Sequence, residues 1–138
     1  MPAAQQDEPE SIGGGPRGRD AAATEAGNRI LAENPDLTLL AYSPILKGIY
    51  TGKEKRESVY FWNQFDHPDS YSRLETLETM AAELGATQGN LVLAWLMHQE
   101  RVIPIVGFSK KEQYLENMQA VEISLSEDQI QQLNSAMG

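Results

Sequence analysis

An α/β fold with parallel strands, too short of strands to stand as a closed sheet, is what this sequence predicts. Three observations carry that reading. Two short apolar runs, "LTLLAYS" and "VIPIV", lie far apart in the chain. Between and after them come helical patterns with their own start and stop signals. The resulting order is helix, strand, helix pair, strand, helix pair, and a βα alternation implies parallel strands joined by right-handed crossovers.

The elements follow in chain order. Residues 1–19 are polar and rich in Gly, Pro and charge, so a disordered tail is expected there, ahead of one folded unit over residues 20–138. The run Gly13, Gly14, Gly15 follows no strand and lacks the Gly-Lys-Ser/Thr ending of a phosphate loop. Asp20 is placed to cap a helix ending near Asn34, because Pro35 disfavours helical geometry before it. The first strand is predicted from Leu37 to Tyr42, with Pro44 and Gly48 stopping it. Tyr50 to Ser70 reads as a long loop holding an exposed charge run, Lys53 to Glu57, and the aromatics Tyr60, Phe61, Trp62 and Phe65.

In "SRLETLETMAAELG", Ser72 and Glu75 have capping-box spacing, while Leu74, Leu77, Met80, Ala81 and Leu84 form one apolar stripe. Gly85 suits the helix end. Thr87 caps the next helix, whose centre "LVLAWLM" is apolar on nearly every side and must be deeply buried. The second strand is predicted from Val102 to Val106, and Pro104 there implies a strand start or an edge position. Ser109 with Glu112 predicts another capped helix, running to about Ala120. Ser126 with Gln129 starts the last one, with Leu125 and Ile130 as a staple and Ile130, Leu133 and Met137 facing inward.

Two strands are too few. Parallel strands are normally buried on both faces and flanked by neighbours. A closed βα barrel takes roughly 250 residues, against 138 here. The chain reads as the end piece of something larger.

Composition narrows the chemistry. A net charge of −9 argues against nonspecific nucleic-acid binding, which needs a basic surface. The absence of cysteine excludes disulfides, thiolate zinc sites and cysteine nucleophiles. No apolar run approaches the roughly 20 residues that span a bilayer, and no signal-peptide core opens the chain, so a soluble cytoplasmic protein is expected.

One local arrangement asks for an explanation. Lys110 and Lys111 fall in the first turn of a helix, where the macrodipole favours anions. A phosphate bound after the second strand would resolve this, held by backbone N–H groups that Gly107 leaves approachable, by the Ser109 hydroxyl and by the lysines. The plainer reading has Ser109 and Glu112 capping the helix while the lysines stay solvated.

The segments "LLAYSPILKGIYTGK", "AAELGATQGNLVLAWLMHQERVIPIVGFSKKEQYLEN" and "ISLSEDQIQQLN" resemble the C-terminal part of aldo-keto reductases, and the resemblance covers about residues 20–137. It implies a partial (β/α)8 TIM barrel, with the two strands as its seventh and eighth and the earlier strands absent. It implies NADP(H)-dependent interconversion of carbonyls and alcohols, with NAD the less favoured cofactor. Around the ribose and pyrophosphate it places Tyr42, Ser43, Pro44, Ile45, Leu46 and Lys47, followed by Gly52 and Lys53. For the adenosine 2′-phosphate and adenine it implies Gly107, Ser109, Gln113, Glu116 and Asn117, with Lys110 or Lys111 adding charge where Gln113 replaces a frequent arginine.

The family's catalytic Asp, Tyr, Lys and His have no counterpart motifs in this chain. Tyr50, Tyr60 and Tyr71 fall in loop or helix-edge positions, and His67 and His98 read as structural or exposed. Trp62 or Phe65 would line a substrate pocket or form a packed lid on the barrel rim. The expectation is a truncated, catalytically silent reductase chain that handles a small carbonyl or alcohol only when completed. The alternative is a non-catalytic cofactor-binding or partner-docking module that associates through exposed sheet edges.

Overall fold

The structure is a computed structural model and describes residue 27 and residues 29–137. The predicted tail over residues 1–19 and the Asp20 cap lie outside these residues, as does the side chain of Met137. The sheet has two parallel strands, β1 (Leu39–Tyr42) and β2 (Val102–Ile105), paired Leu39 with Val102 through Tyr42 with Ile105. Among the described residues, beside the helical residues 29–33, the helices are α1 (Lys53–Glu57), α2 (Pro68–Leu84), α3 (Gln88–His98), α4 (Lys111–Gln119) and α5 (Glu127–Met137).

Both strands are shorter than predicted. Leu37 is taken by the turn after the leading helical segment, its amide donating to the Asn34 carbonyl at 3.0 Å. Pro104 sits inside β2 opposite Ala41. The Leu39 amide reaches the Arg101 carbonyl at 2.8 Å. In parallel spacing this aims the amides of 103 and 105 at β1 and turns position 104 outward. Proline there costs no ladder bond, which fits the expected edge position.

The predicted loop from Tyr50 to Ser70 is largely helical, and this corrects the sequence reading. A 3₁₀ turn occupies Leu46–Thr51, the charge run Lys53–Glu57 forms α1, and a second 3₁₀ turn covers Trp62–Gln64. α2 begins at Pro68, so Ser72 is not its cap. Proline at the first helical position is pre-set for the helix, and His67 Nδ1 accepts from the Asp69 amide at 3.3 Å. Ser72 lies inside the helix, where its carbonyl accepts from the Thr76 hydroxyl. The predicted helix ends at Gly85, Thr87 and Ser126 hold. Gly85 takes the left-handed conformation at φ 64°, and Thr87 Oγ1 accepts from the Asn90 amide. Ser126 and Gln129 exchange hydrogen bonds of 2.9 and 3.2 Å at the start of α5.

Two buried clusters result. The stripe of α2 divides between them. Leu74 packs with Leu46, Ile49, Val59, Trp62 and Phe65, while Leu77, Met80 and Ala81 pack with Leu91 and Val92 of α3 and Leu133 of α5. Tyr50 touches both clusters. On the sheet, Leu39, Ala41, Val102 and Pro104 are half-buried, whereas Leu40, Tyr42, Ile103 and Ile105 on the opposite face are 45–79% exposed.

Arg101, on which the sequence reading placed no role, ties the leading helical segment to the sheet. Its backbone is left-handed at φ 59°. Its guanidinium donates to the carbonyls of Leu31 at 2.6 Å, Asn34 at 2.9 Å and Leu37 at 3.3 Å. The Leu31 carbonyl is one that a helix end leaves without a partner, since Pro35 has no amide hydrogen to give it.

Candidate functional site

The parallel register brings the turns after β1 and β2 to the same end of the sheet. The first turn is strained. Ser43, Leu46 and Lys47 have φ of 50°, 45° and 55°, followed by Gly48 at 87°. Each left-handed non-glycine residue costs about 1–2 kcal/mol, and strain clusters where function or packing requires it. Part of the requirement is visible. Leu46 is buried in the first cluster and anchors the turn, while Pro44 and Ile45 are half-buried.

Ser43 is half-buried as well, while Tyr42, Lys47 and Lys53 face outward. Tyr42 is 79% exposed. Lys47 Nζ lies 4.9 Å above the Tyr60 ring, a cation–π contact. Lys53 opens α1, well exposed and 3.7 Å from Glu57.

At the second turn the structure corrects the capping scheme. Lys110, not Ser109, is the N-cap residue of α4, and Glu112 closes no box. The reaching side chain is Gln113, whose Oε1 accepts from the Ser109 amide at 2.9 Å, the Ser109 hydroxyl at 3.2 Å and the Lys110 amide at 3.2 Å. The Ser109 hydroxyl therefore donates here instead of accepting. A carboxamide at the third helical position is long enough to reach back over the first turn, which a capping box uses in the same way. Gly107 is exposed, with open space where a side chain would project. Glu116 is exposed and Asn117 half-buried on α4. Phe108 leans on Tyr114 with ring centroids 5.1 Å apart.

Three donors converge on the Gln113 carboxamide oxygen, and a phosphate oxygen would fit the same donors by displacing that side chain. The lysines remain exposed beside it. The two turns that carry most of the site residues read from the sequence leave the sheet at the same end.

The aromatic segment divides, with Tyr60 79% exposed and Trp62 and Phe65 packed inward. Trp62 and Phe65 are 7% and 8% exposed, so they serve as core and not as an open substrate wall. Phe61 meets Phe65 edge-on at 5.9 Å, and Trp62 meets Tyr71 at 6.0 Å. Arg56 lies 5.3 Å above the Trp62 ring and donates through Nε to the Ile49 carbonyl at 3.1 Å.

Two phenols have displaced acidity. Burial pushes Tyr50 up to about 12, against an opposing pull from the Arg73 cation. The Tyr71 hydroxyl donates to Asp66 at 2.8 Å, and that bond holds its pKa above the usual value. His67 caps α2 and His98 Nδ1 lies 2.7 Å from the Ala94 carbonyl, both structural placements. Among the described residues no group of three acidic or imidazole side chains is placed to hold a metal, and no helix is long and apolar enough to cross a membrane.

A family model described as the aldo/keto reductase family matches residues 22–137. An aldo-keto reductase of Strobilurus tenacellus is 29% identical over 105 residues, covering 68% of this chain and 31% of that protein. An uncharacterised oxidoreductase of Mycobacterium bovis is 32% identical over 103 residues, covering 69% and 32%. The crystal structure of a thermostable aldo-keto reductase, solved with the inhibitor epalrestat, superposes with a TM-score of 0.60 at 29% identity, covering 87% of this chain and 36% of that one. The chain thus spans about a third of the length of the proteins it matches.

Proposed function

The chain belongs to the aldo/keto reductase family, and from that premise we propose that its two post-strand turns bind NADP(H) for carbonyl–alcohol interconversion. What supports the reading is that the turns after β1 and β2 leave the same end of a parallel strand pair, the second carrying donors from Ser109 and Lys110 that Gln113 Oε1 takes in this structure and that a phosphate oxygen would take in its place. Ser109, Lys110, Gln113, Glu116 and Asn117 would hold the 2′-phosphate and adenine. Gly107 would let the ligand approach the backbone. Tyr42 to Lys47 and Lys53 would hold the ribose and pyrophosphate. The bound cofactor supplies hydride. The chain's own contribution is to bind and orient it. NAD is the weaker candidate, because exposed Lys110 and Lys111 favour the extra phosphate charge.

Proton donation is a separate matter. The family's acid is a tyrosine made more acidic by a lysine, yet Tyr50 and Tyr71 are both displaced towards weaker acidity. The chain by itself is accordingly proposed to bind the dinucleotide without turning over a carbonyl substrate. Calorimetric titration with NADPH and NADH tests this. Ser109→Ala and Asn117→Ala should each weaken NADPH binding. Unaltered titrations in both variants would reject the site assignment, and NADPH oxidation by the chain with a panel of aldehydes would instead overturn the proposed lack of turnover.

A second reading, a docking module, is favoured by one observation: the exposed apolar face formed by Leu40, Tyr42, Ile103 and Ile105. Its partner would be a polypeptide that adds parallel strands to the free edges of β1 and β2. Mixing with such a polypeptide should change the sedimentation of the chain if the reading is right.

A further inference from the structure

The strongest unassigned feature lies away from the two turns, between the 3₁₀ turn Leu46–Thr51 and α2. A pocket of about 40 Å³ is lined there by apolar side chains and by Tyr50, Ser70 and Arg73. Ser70 is 7% exposed, and its hydroxyl is buried with no hydrogen-bond partner among the described residues. Buried hydroxyls are nearly always paired, so this one asks for a partner.

We propose that this pocket holds ordered water, bridging the Ser70 hydroxyl to the Tyr50 phenol and the Arg73 guanidinium. The volume sets the class of occupant. One water needs about 10–15 Å³ of such space, so two or three fit, whereas an aromatic ring needs a cavity of about 150 Å³. The polar groups supply the two to four partners an internal water requires. Among the described residues, Arg73 has no carboxylate within ion-pair reach and so keeps donors free. Tyr50, pushed up to about 12 by burial, stays a neutral O–H donor at ordinary pH. Water accepts from these donors and donates to Ser70, which balances the set. The bridge would join the strained turn carrying Lys47 to the first turns of α2. This inference is independent of dinucleotide binding.

A competing account leaves the pocket dry and the hydroxyl unpaired. The sign of one substitution separates them. With bridging water, Ser70→Ala removes a useful hydrogen bond and should lower the melting temperature by about 4–8 °C. With a dry pocket, the same change relieves a buried unpaired hydroxyl and should raise it. Should the variant fail to fold, the unaltered chain decides. Water–proton Overhauser contacts to Ser70 and Leu74, with no xenon entering under pressure, are the expected result. Xenon in the pocket without such contacts would overturn the proposal.

Discussion

Replacing Arg101 with methionine removes the guanidinium but keeps most of the stem, which isolates the clamp on the leading helical segment. Three hydrogen bonds disappear: the part-buried one to Leu31 at 2.6 Å and the exposed ones to Asn34 at 2.9 Å and Leu37 at 3.3 Å. A hydrogen bond from a charged donor is worth about 1.5–3 kcal/mol, and water competition cuts the exposed pair to about 0.5 kcal/mol each. The expected loss is therefore about 2.5–4 kcal/mol. At about 4 °C per kcal/mol this lowers the melting temperature by about 10–16 °C.

Arg101→Gly should lose less, because glycine removes the cost of the left-handed backbone at φ 59°, about 1–2 kcal/mol. Urea unfolding followed by far-UV circular dichroism measures both variants, with an unchanged slope confirming the same transition. A methionine variant within about 0.5 kcal/mol of the parent, or a glycine variant less stable than it, would refute the clamp.

Other outcomes follow from the phenol and the carboxamide. Tyr50 has its folded pKa raised from 10 to about 12, so its contribution is complete below pH 10 and lost as pH rises towards 12. The loss is at most about 3 kcal/mol, and Tyr50→Phe should flatten that part of an alkaline stability profile. An identical profile in the phenylalanine variant would contradict it. Gln113→Ala should speed hydrogen exchange at the Ser109 and Lys110 amides and cost about 1 kcal/mol. Unchanged exchange at both amides would show that the carboxamide does not hold them.

Much of the fold was readable because local rules agreed. The α2 stripe, the Gly85 stop, the Thr87 cap and the Ser126–Gln129 box are each decided within a few residues, and all appear where expected. The Tyr50–Ser70 misreading has an identifiable cause. Charged and aromatic residues there lack a helical period, and short helices gain stability mainly from tertiary contact. Here the contact is Trp62, Phe65 and Val59 sinking into one cluster, with Arg56 bridging α1 to the Ile49 carbonyl and the Trp62 face. The Ser72 box was a plausible local pattern that Pro68 and His67 pre-empted one turn earlier.

The site was legible in outline and not in detail. Which residues flank the carboxyl ends of the strands followed from the strands themselves. Which side chain takes the free amides at α4 did not, because Ser109, Glu112 and Gln113 all had suitable spacing and backbone geometry chose Gln113.

By itself the sequence determined the two strands, the four longer capped helices after β1 and the parallel sense, which are encoded in short-range patterns of apolarity and capping, and it pointed to the family through the resemblance of its segments. Only the tertiary structure decided the strained turn at Ser43–Gly48, the Arg101 clamp and the inward packing of Trp62. Each of these depends on groups distant in sequence meeting in space, and no local propensity fixes which carbonyl or ring a side chain will find.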